Sequence, residues 1–477
     1  MKINPYIFRN YDIRGLVPQD LDEVKVAAIG KAYGTFLIKR GIKRAVVGRD
    51  CRLSGESFQK VFITGLASTG VDVVDLGMVM TQMVYFAQYN YKCEGGAMIT
   101  ASHNPFNFNG FKLATGYSQT TEQEDVQEIR KITETEEFMV AAKPGTVIQE
   151  DVTADYEKDL MTKIQIGKKF TVVADSRYGT TGRYIPRILE LAGQNVIPLN
   201  SEIDGRFPAG TPDPTDEKIM KELGQAVLAK KADLGFAFDG DGDRIGLVDE
   251  KGRILWNDVM VAIFAKEILE KQPGAKIIYN TLCSKVVKEV VEQNGGVPII
   301  WKTGHTFIKS KIAKEGAAFG GELSGHFFFK DEAYGHDDGS YAALRILRYL
   351  AKKGMSLSEL YETFPKYISS PEIKIGCPDE RKKEVIKDLA TKFKADFPGA
   401  EVTDDSIIPG DDGVRLDLTD GMIIFRYSQN GPYITVRFEA KEEAVYQERK
   451  KYVRETLKSY PEMIWQDQLC VNLAALE

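Results

Sequence analysis

The sequence predicts an α/β body with largely parallel sheets and a smaller α+β domain appended behind it. Three observations predict this. Apolar strand-like runs alternate with amphipathic helix-like stretches along most of the chain. The rhythm changes from Asp379 onward. And 477 residues exceed what one core organises, which points to about three domains, with two to four allowed.

The strand-like runs are Ala45–Val47, Val71–Val74, Ala97–Ile99, Phe170–Ala174, Asn195–Pro198, Leu234–Phe238, Lys276–Tyr279 and Val297–Ile300. Glu56–Ala67, Arg183–Ala192, Glu217–Ala229 and Asp258–Glu270 read as helices between them. These α/β segments look like loose echoes of one plan. In the C-terminal part, helix-like Asp379–Phe397 precedes strands near Val414–Leu418, Met422–Tyr427 and Tyr433–Glu439, then a charged helix from Glu442 to Leu457. Joints near Gln149–Thr153, Asp249–Ile254 and Pro365–Pro371 divide the chain into 1–152, 153–254, 255–368 and 369–477.

The net charge of −6 argues against general nucleic-acid or membrane-surface binding, so positive charge for an anionic ligand must be gathered locally. Five scattered cysteines without a CxxC pair indicate neither a zinc knuckle nor a disulfide framework and fit a reducing cytosol. The N-terminal MKINPYIFRNYDIRG lacks a signal-peptide core, and no stretch approaches the ~20 apolar residues that span a bilayer. A cytoplasmic protein without nucleic-acid or membrane partners is expected.

Three loops carry chemistry. In Ile99-Thr-Ala-Ser-His-Asn-Pro105, an apolar run ends in small polar residues and Pro105 stops the strand. Such loops, at the carboxyl ends of parallel strands, are where α/β sheets place ligands. Ser102 is read at the exposed position, with His103 beside it to polarise or orient a phosphate; an ordinary polar turn would read alike.

In Phe238-Asp-Gly-Asp-Gly-Asp-Arg244, three carboxylates at i, i+2 and i+4 crowd together, and a hard divalent cation resolves their repulsion. An Asp/Gly turn without metal is the bland alternative. A calcium EF-hand fails although Glu250 falls at the twelfth position, because Arg244 stands where glycine is needed and the flanks read as strands. Three carboxylates leave coordination open for a phosphate oxygen, which suits magnesium.

In Gly320-Gly-Glu-Leu-Ser-Gly-His326, an extended backbone would point Glu322, Ser324 and His326 one way, equipment for vicinal sugar hydroxyls or simply a polar loop. Of the four histidines, His103, His305 and His326 lie in glycine- or serine-rich loops, which favours function over structure; His336 is the fourth.

Taken in order, Thr100-Ala-Ser-His-Asn-Pro105, Asp239-Gly-Asp-Gly-Asp-Arg244 and Gly321-Glu-Leu-Ser-Gly-His326 resemble the α-D-phosphohexomutases. The likeness extends to Tyr11-Asp-Ile-Arg-Gly15, Gly48-Arg-Asp50, Asn109-Gly-Phe-Lys112, Pro212-Asp-Pro214 and Thr303-Gly-His305, and covers essentially the full length. The resemblance implies four domains around a deep central cleft: three related α/β domains with mixed, largely parallel sheets, then a smaller α+β domain that closes over the substrate. It implies a phosphoserine at Ser102, which with Asp239, Asp241 and Asp243 would hold one Mg2+. Arg244 would sit by the phosphoryl group. Arg14, Lys112, His305 and His326 match positions for proton transfer or phosphoryl stabilisation, with Lys112 as general base. Glu322 and Ser324 would hold the sugar 3- and 4-hydroxyls, and Thr303 and Gly304 join the substrate-binding set.

The family's distal phosphate loop usually reads Arg-x-Ser-Asn/Gly-Thr-x-Pro. This chain has Arg426-Tyr-Ser-Gln-Asn-Gly-Pro432, so Arg426, Ser428, Gln429, Asn430 and Gly431, with Arg437, are the expected clamp. Leu323 between Glu322 and Ser324 resembles the enzymes acting on mannose and glucose phosphates; phosphoglucosamine mutases typically carry Gln there. The implied reaction moves phosphate between the 1- and 6-positions through a hexose 1,6-bisphosphate, in a monomer or weak dimer. It needs a Lys112 pKa lowered by Arg14 or Arg244. A phosphoglucosamine mutase, a phosphatase using the same serine and metal, and a non-catalytic sugar-phosphate sensor are the rivals.

Overall fold

The computed structural model describes residues 1–428, 431–466 and 470–477. The chain divides into two compact units, Met1–Met260 with Ser324–Tyr361, and Val261–Leu323 with Glu362–Glu477.

The first unit carries two sheets with parallel centres. In the N-terminal sheet, Gly95–Ile99, Arg44–Arg49, Asp72–Met78 and Val147–Gln149 run parallel in that spatial order. Phe108–Gly116 and then Ile13–Leu16 extend it antiparallel beyond Gly95–Ile99. Residues 45–47 and 97–99 are buried without alternation, the pattern of strands covered on both faces. Helices Glu23–Lys39 and Gly55–Ser68 pack together on this sheet. They cross where a Cβ on Gly30 would lie 2.4 Å from Phe62 O and one on Gly65 2.4 Å from Ala27 O, so only glycine permits the approach.

In the second sheet Leu234–Phe238, Thr171–Asp175 and Asn195–Leu199 are parallel, and Leu234–Phe238 returns as a hairpin into antiparallel Ile245–Asp249. The helix expected from Arg183 begins at Ile185, after a 3-10 turn over Thr180–Arg183; Pro186 in its first turn sets the helical φ there.

In the second unit Val297–Trp301, Lys276–Asn280 and Phe319–Gly321 are parallel neighbours. A C-terminal antiparallel sheet includes Gly413–Leu418, Gly421–Tyr427 and Tyr433–Ala440. Its alternation is two-sided: Ile423, Phe425, Ile434, Val436 and Phe438 share a core with the helix Asp379–Asp396, whereas Met422 and Ile424 face the other way onto Leu282 and Leu323. Three α/β sheets followed by an α+β sheet is the predicted class. Among the described residues, no helix is long and apolar enough to cross a membrane.

Candidate active site and metal centre

Ser102 follows the carboxyl end of the parallel strand Gly95–Ile99, and its backbone is forced into the left-handed region at φ +50°. Side chains hold it there. Thr100 Oγ1 accepts the Ser102 N–H at 2.8 Å and donates to Asp50 at 2.6 Å. Beneath the loop, the buried Arg52 guanidinium donates to the carbonyls of Ser102, Asn104, Pro105 and Phe108, while Asp50 fixes its Nε at 3.1 Å. Ser102 is fully buried, not exposed as the sequence suggested. The aspartate hairpin covers it, with Gly240 so close that a Cβ would lie 2.9 Å from Ser102 O.

Ser102 Oγ donates to Asp239 Oδ2 at 2.6 Å. Asp239 Oδ1 accepts the N–H groups of Gly242 and Arg244, closing the tight turn that Gly242 enters at φ +84°. Carboxylate oxygens of Asp239, Asp241 and Asp243 lie within 4.8 Å of one another, all buried. Burial, then Asp241 and Asp243, push the Asp239 pKa well up. For Asp241 burial also acts upward, but Lys112 outweighs it and holds the carboxyl below its usual range. Like charges at this separation cannot all ionise unaided.

The donor set suits a hard cation. Asp241 Oδ2 is satisfied by Thr81 Oγ1 at 2.7 Å and Lys112 Nζ at 2.8 Å. Asp243 Oδ2 is satisfied by Lys112. Yet Asp241 Oδ1 and Asp243 Oδ1 are buried without a hydrogen-bond partner. Two desolvated, unmatched carboxylate oxygens beside a serine hydroxyl are hard oxygen ligands of the kind magnesium takes.

Around this centre stand the expected cations. Arg14 donates to Asp12 at 2.7 Å and to Asn104 Oδ1 at 2.8 Å. Arg244 Nη2 lies 2.7 Å from His103 Nδ1, which is 3.2 Å from Ser102 Oγ. Arg244 Nε donates to His326 Nε2 at 3.0 Å, and His326 Nδ1 faces Asp337 Oδ2 at 2.9 Å. Lys112 departs from expectation. Desolvation lowers its pKa, but Asp241, Asp243 and Asp239 together raise it above that of an ordinary lysine. Arg14 and Arg244 do not win, because the ammonium sits directly on the carboxylates.

The third motif is not extended. Leu323 and Ser324 form a turn and Gly325 has φ +95°, so the alternation that would align Glu322, Ser324 and His326 is broken. Ser324 and His326 belong to the first unit and Glu322 to the second. Glu322 is buried and accepts the Gly304 N–H at 2.7 Å; His305 opens the helix His305–Glu315, with Gly304 as its cap.

In the C-terminal sheet, Arg426 is engaged by Asp412 through two hydrogen bonds at 2.5 and 2.8 Å. Ser428 is buried, its carbonyl accepting from Lys382 as that of Gly431 also does. Gln429 and Asn430 lie outside the described residues. Arg437 shares the sheet face of Arg426 and donates to Leu282 O at 2.8 Å.

Sequence reasoning missed Thr81, Arg52, Asp337 and Asn280. Arg52 stands two residues after the quoted Gly48-Arg-Asp50, which was the available signal. Thr81, Asp337 and Asn280 have none, being ordinary polar residues whose partners are distant in sequence.

Comparison with known proteins agrees with this geometry. Residues 5–140, 152–252 and 256–367 match the profiles of phosphoglucomutase/phosphomannomutase alpha/beta/alpha domains I, II and III, respectively. The chain is 38% identical over 453 residues to a phosphomannomutase/phosphoglucomutase of Pseudomonas aeruginosa, covering 95% of this chain and 96% of that one. It is 37% identical to a phosphoglucomutase of Neisseria gonorrhoeae, covering 96% and 98%. A crystal structure of a phosphoglucomutase/phosphomannomutase family protein from Burkholderia thailandensis superposes with a TM-score of 0.87 at 35% identity, covering 96% and 98%. A hydroxyl held on one of three clustered aspartates, within a fold and sequence shared along nearly the whole length, places this chain in the phosphoglucomutase/phosphomannomutase family of α-D-phosphohexomutases.

Proposed function

We propose that this enzyme interconverts hexose 1-phosphates and hexose 6-phosphates of the glucose and mannose series, through a phosphoserine at Ser102 and a hexose 1,6-bisphosphate. One observation carries the reading: Ser102 Oγ rests 2.6 Å from Asp239 beside two buried carboxylate oxygens that no protein donor satisfies. Ser102, Asp239, Asp241 and Asp243 would hold magnesium. Bound there, it would withdraw charge from the transferring phosphoryl group and, by neutralising the aspartates, remove the attraction that keeps Lys112 protonated.

The chain's own groups do the rest. Arg52 and Thr100 fix the serine backbone so that Oγ keeps one direction, since phosphoryl transfer depends on alignment and charge more than on covalent help. Arg244, steadied by His103 and His326, and Arg14, steadied by Asp12, offer positive charge to equatorial oxygens. Lys112 takes the proton of the attacking sugar hydroxyl. Glu322 and Ser324 hold sugar hydroxyls, with Thr303, Gly304 and His305 alongside. Arg426, Ser428, Gly431 and Arg437 clamp the phosphate that is not reacting. The four segments 1–152, 153–254, 255–368 and 369–477 serve as domains for serine, metal, sugar and distal phosphate, respectively.

The test is a magnesium-dependent assay with glucose 1-phosphate and mannose 1-phosphate plus a trace of bisphosphate, following hexose 6-phosphate. Isomerised product from both, with phosphate on Ser102, is expected. Inorganic phosphate without isomerised product would replace the mutase reading by a phosphatase.

A further inference from the structure

Three loops of the second unit leave the carboxyl ends of neighbouring parallel strands, and one side chain ties them together. Asn280 ends the central strand, Lys276–Asn280, and is fully buried. Its Nδ2 donates to Thr303 Oγ1 at 3.1 Å, in the loop after Val297–Trp301. Its Oδ1 accepts the Leu323 N–H at 3.2 Å, in the loop after Phe319–Gly321, and the Cys283 thiol at 3.0 Å. Because the Leu323 N–H can only donate, the amide orientation is fixed by its partners.

These bonds close a ring through the sugar-binding loop. Thr303 precedes Gly304, whose N–H donates to Glu322 Oε1 at 2.7 Å, and Glu322 precedes Leu323, which returns to Asn280. Asn280 therefore restrains Glu322 twice: directly at the following peptide, and through Thr303 and Gly304 at the carboxylate itself. A buried network with its members satisfied holds one geometry, and losing one member leaves the others unmatched.

We propose that Asn280 is a positioning residue that sets the place of the Glu322 carboxylate and thereby the discrimination among hexose epimers at the hydroxyls Glu322 holds. The inference rests on the mutase reading and on Glu322 holding the 3- and 4-hydroxyls. Glucose and galactose differ at carbon 4, which Glu322 addresses; glucose and mannose differ at carbon 2, which it does not. A displaced Glu322 weakens the first distinction and spares the second.

The experiment measures kcat and KM for glucose 1-phosphate and mannose 1-phosphate, with galactose 1-phosphate read as turnover or competitive inhibition, in wild type, Asn280→Ala, Thr303→Val and Thr303→Ser. Asn280→Ala is expected to raise KM for glucose 1-phosphate about 10-fold and to cut the glucose-to-galactose preference about 10-fold, with the glucose-to-mannose ratio within about 2-fold of wild type. Thr303→Val breaks the same ring elsewhere and should reproduce this pattern, while Thr303→Ser keeps the hydroxyl and should restore the preference. If Asn280→Ala does not fold, the two Thr303 variants decide. Losses equal for all three sugars, or a preference unchanged in both Asn280→Ala and Thr303→Val, overturn the inference while leaving the mutase reading intact. A wild type that isomerises no hexose phosphate overturns both.

Discussion

Ser102 Oγ and Asp239 Oδ2 meet at 2.6 Å although 137 residues separate them in the chain. The two loops leave different sheets, and each is shaped so that its functional oxygen faces the other.

Replacing Ser102 by Ala removes the hydroxyl and leaves Asp239 without its donor. Mutase turnover should fall by more than ~10³-fold, with no phosphorylated residue found at position 102 by mass spectrometry. Near-wild-type turnover would overturn the phosphoserine assignment.

Arg52→Lys tests what fixes the serine. A lysine cannot fork onto the carbonyls of Ser102, Asn104, Pro105 and Phe108. The loop keeps its sequence but loses its floor, so kcat should drop ~10- to 100-fold with KM for glucose 1-phosphate little changed. A rise in KM at constant kcat would assign Arg52 to binding instead.

Local patterning made the sheets and the aspartate hairpin legible. Leu234–Phe238 is an apolar run followed by two Asp-Gly pairs, and both its strand and its turn follow from that alone. Ser102 was found by type and place but misjudged in exposure, because its cover comes from Gly240, a long-range neighbour. Lys112 entered through the Asn109-Gly-Phe-Lys112 motif, with no strand read there; it lies on the strand Phe108–Gly116, and its charge state depends on Asp241 and Asp243, which no local window contains. The Glu322–His326 alternation misled, since Gly325 at φ +95° turns the chain where a period of two predicts extension.

Asp338 yields a pH prediction. It caps the helix Gly339–Lys353 by accepting the Tyr341 N–H and accepts the Tyr156 hydroxyl at 2.8 Å, but burial raises its pKa from the ordinary 3.8 to about 6. An acid raised in the folded state costs nothing below its unfolded pKa. Its penalty grows as pH rises and is complete above about 6. Asn keeps the cap without the charge. Asp338→Asn should therefore stabilise the protein at pH 8 by on the order of 2 kcal/mol, a gain that vanishes near pH 4 in urea melts. A gain independent of pH would refute the buried charge as its source.

Arg426→Ala addresses the distal clamp. Arg426 is held by Asp412 through Nε and Nη2, which fixes the guanidinium plane for contact with an anion. Truncation should raise KM for hexose 1-phosphate ~10-fold or more with a smaller change in kcat, as expected for a group that binds but does not react. An unchanged KM would move the clamp away from this strand.

Thr81 is the sharpest test of the metal centre, because it touches neither phosphate nor sugar in the proposed scheme. Its hydroxyl satisfies Asp241 Oδ2 at 2.7 Å, and Oδ1 of the same carboxylate stays buried with no hydrogen-bond partner. Without that bond the carboxylate keeps Lys112 and Asp239 as restraints but loses the hydroxyl that fixes Oδ2, and it is freer to reorient. Supporting groups of this kind typically contribute 10- to 100-fold in metal affinity. Thr81→Val, close in shape, should weaken magnesium binding about 10-fold by calorimetry, and raise the magnesium needed for half-maximal turnover to match. At saturating magnesium, KM for the sugar phosphate should stay as in wild type. A variant that binds magnesium normally but loses turnover would show that Thr81 supports the serine loop rather than the ion, and the assignment of Asp241 as a ligand would lose its main geometric support.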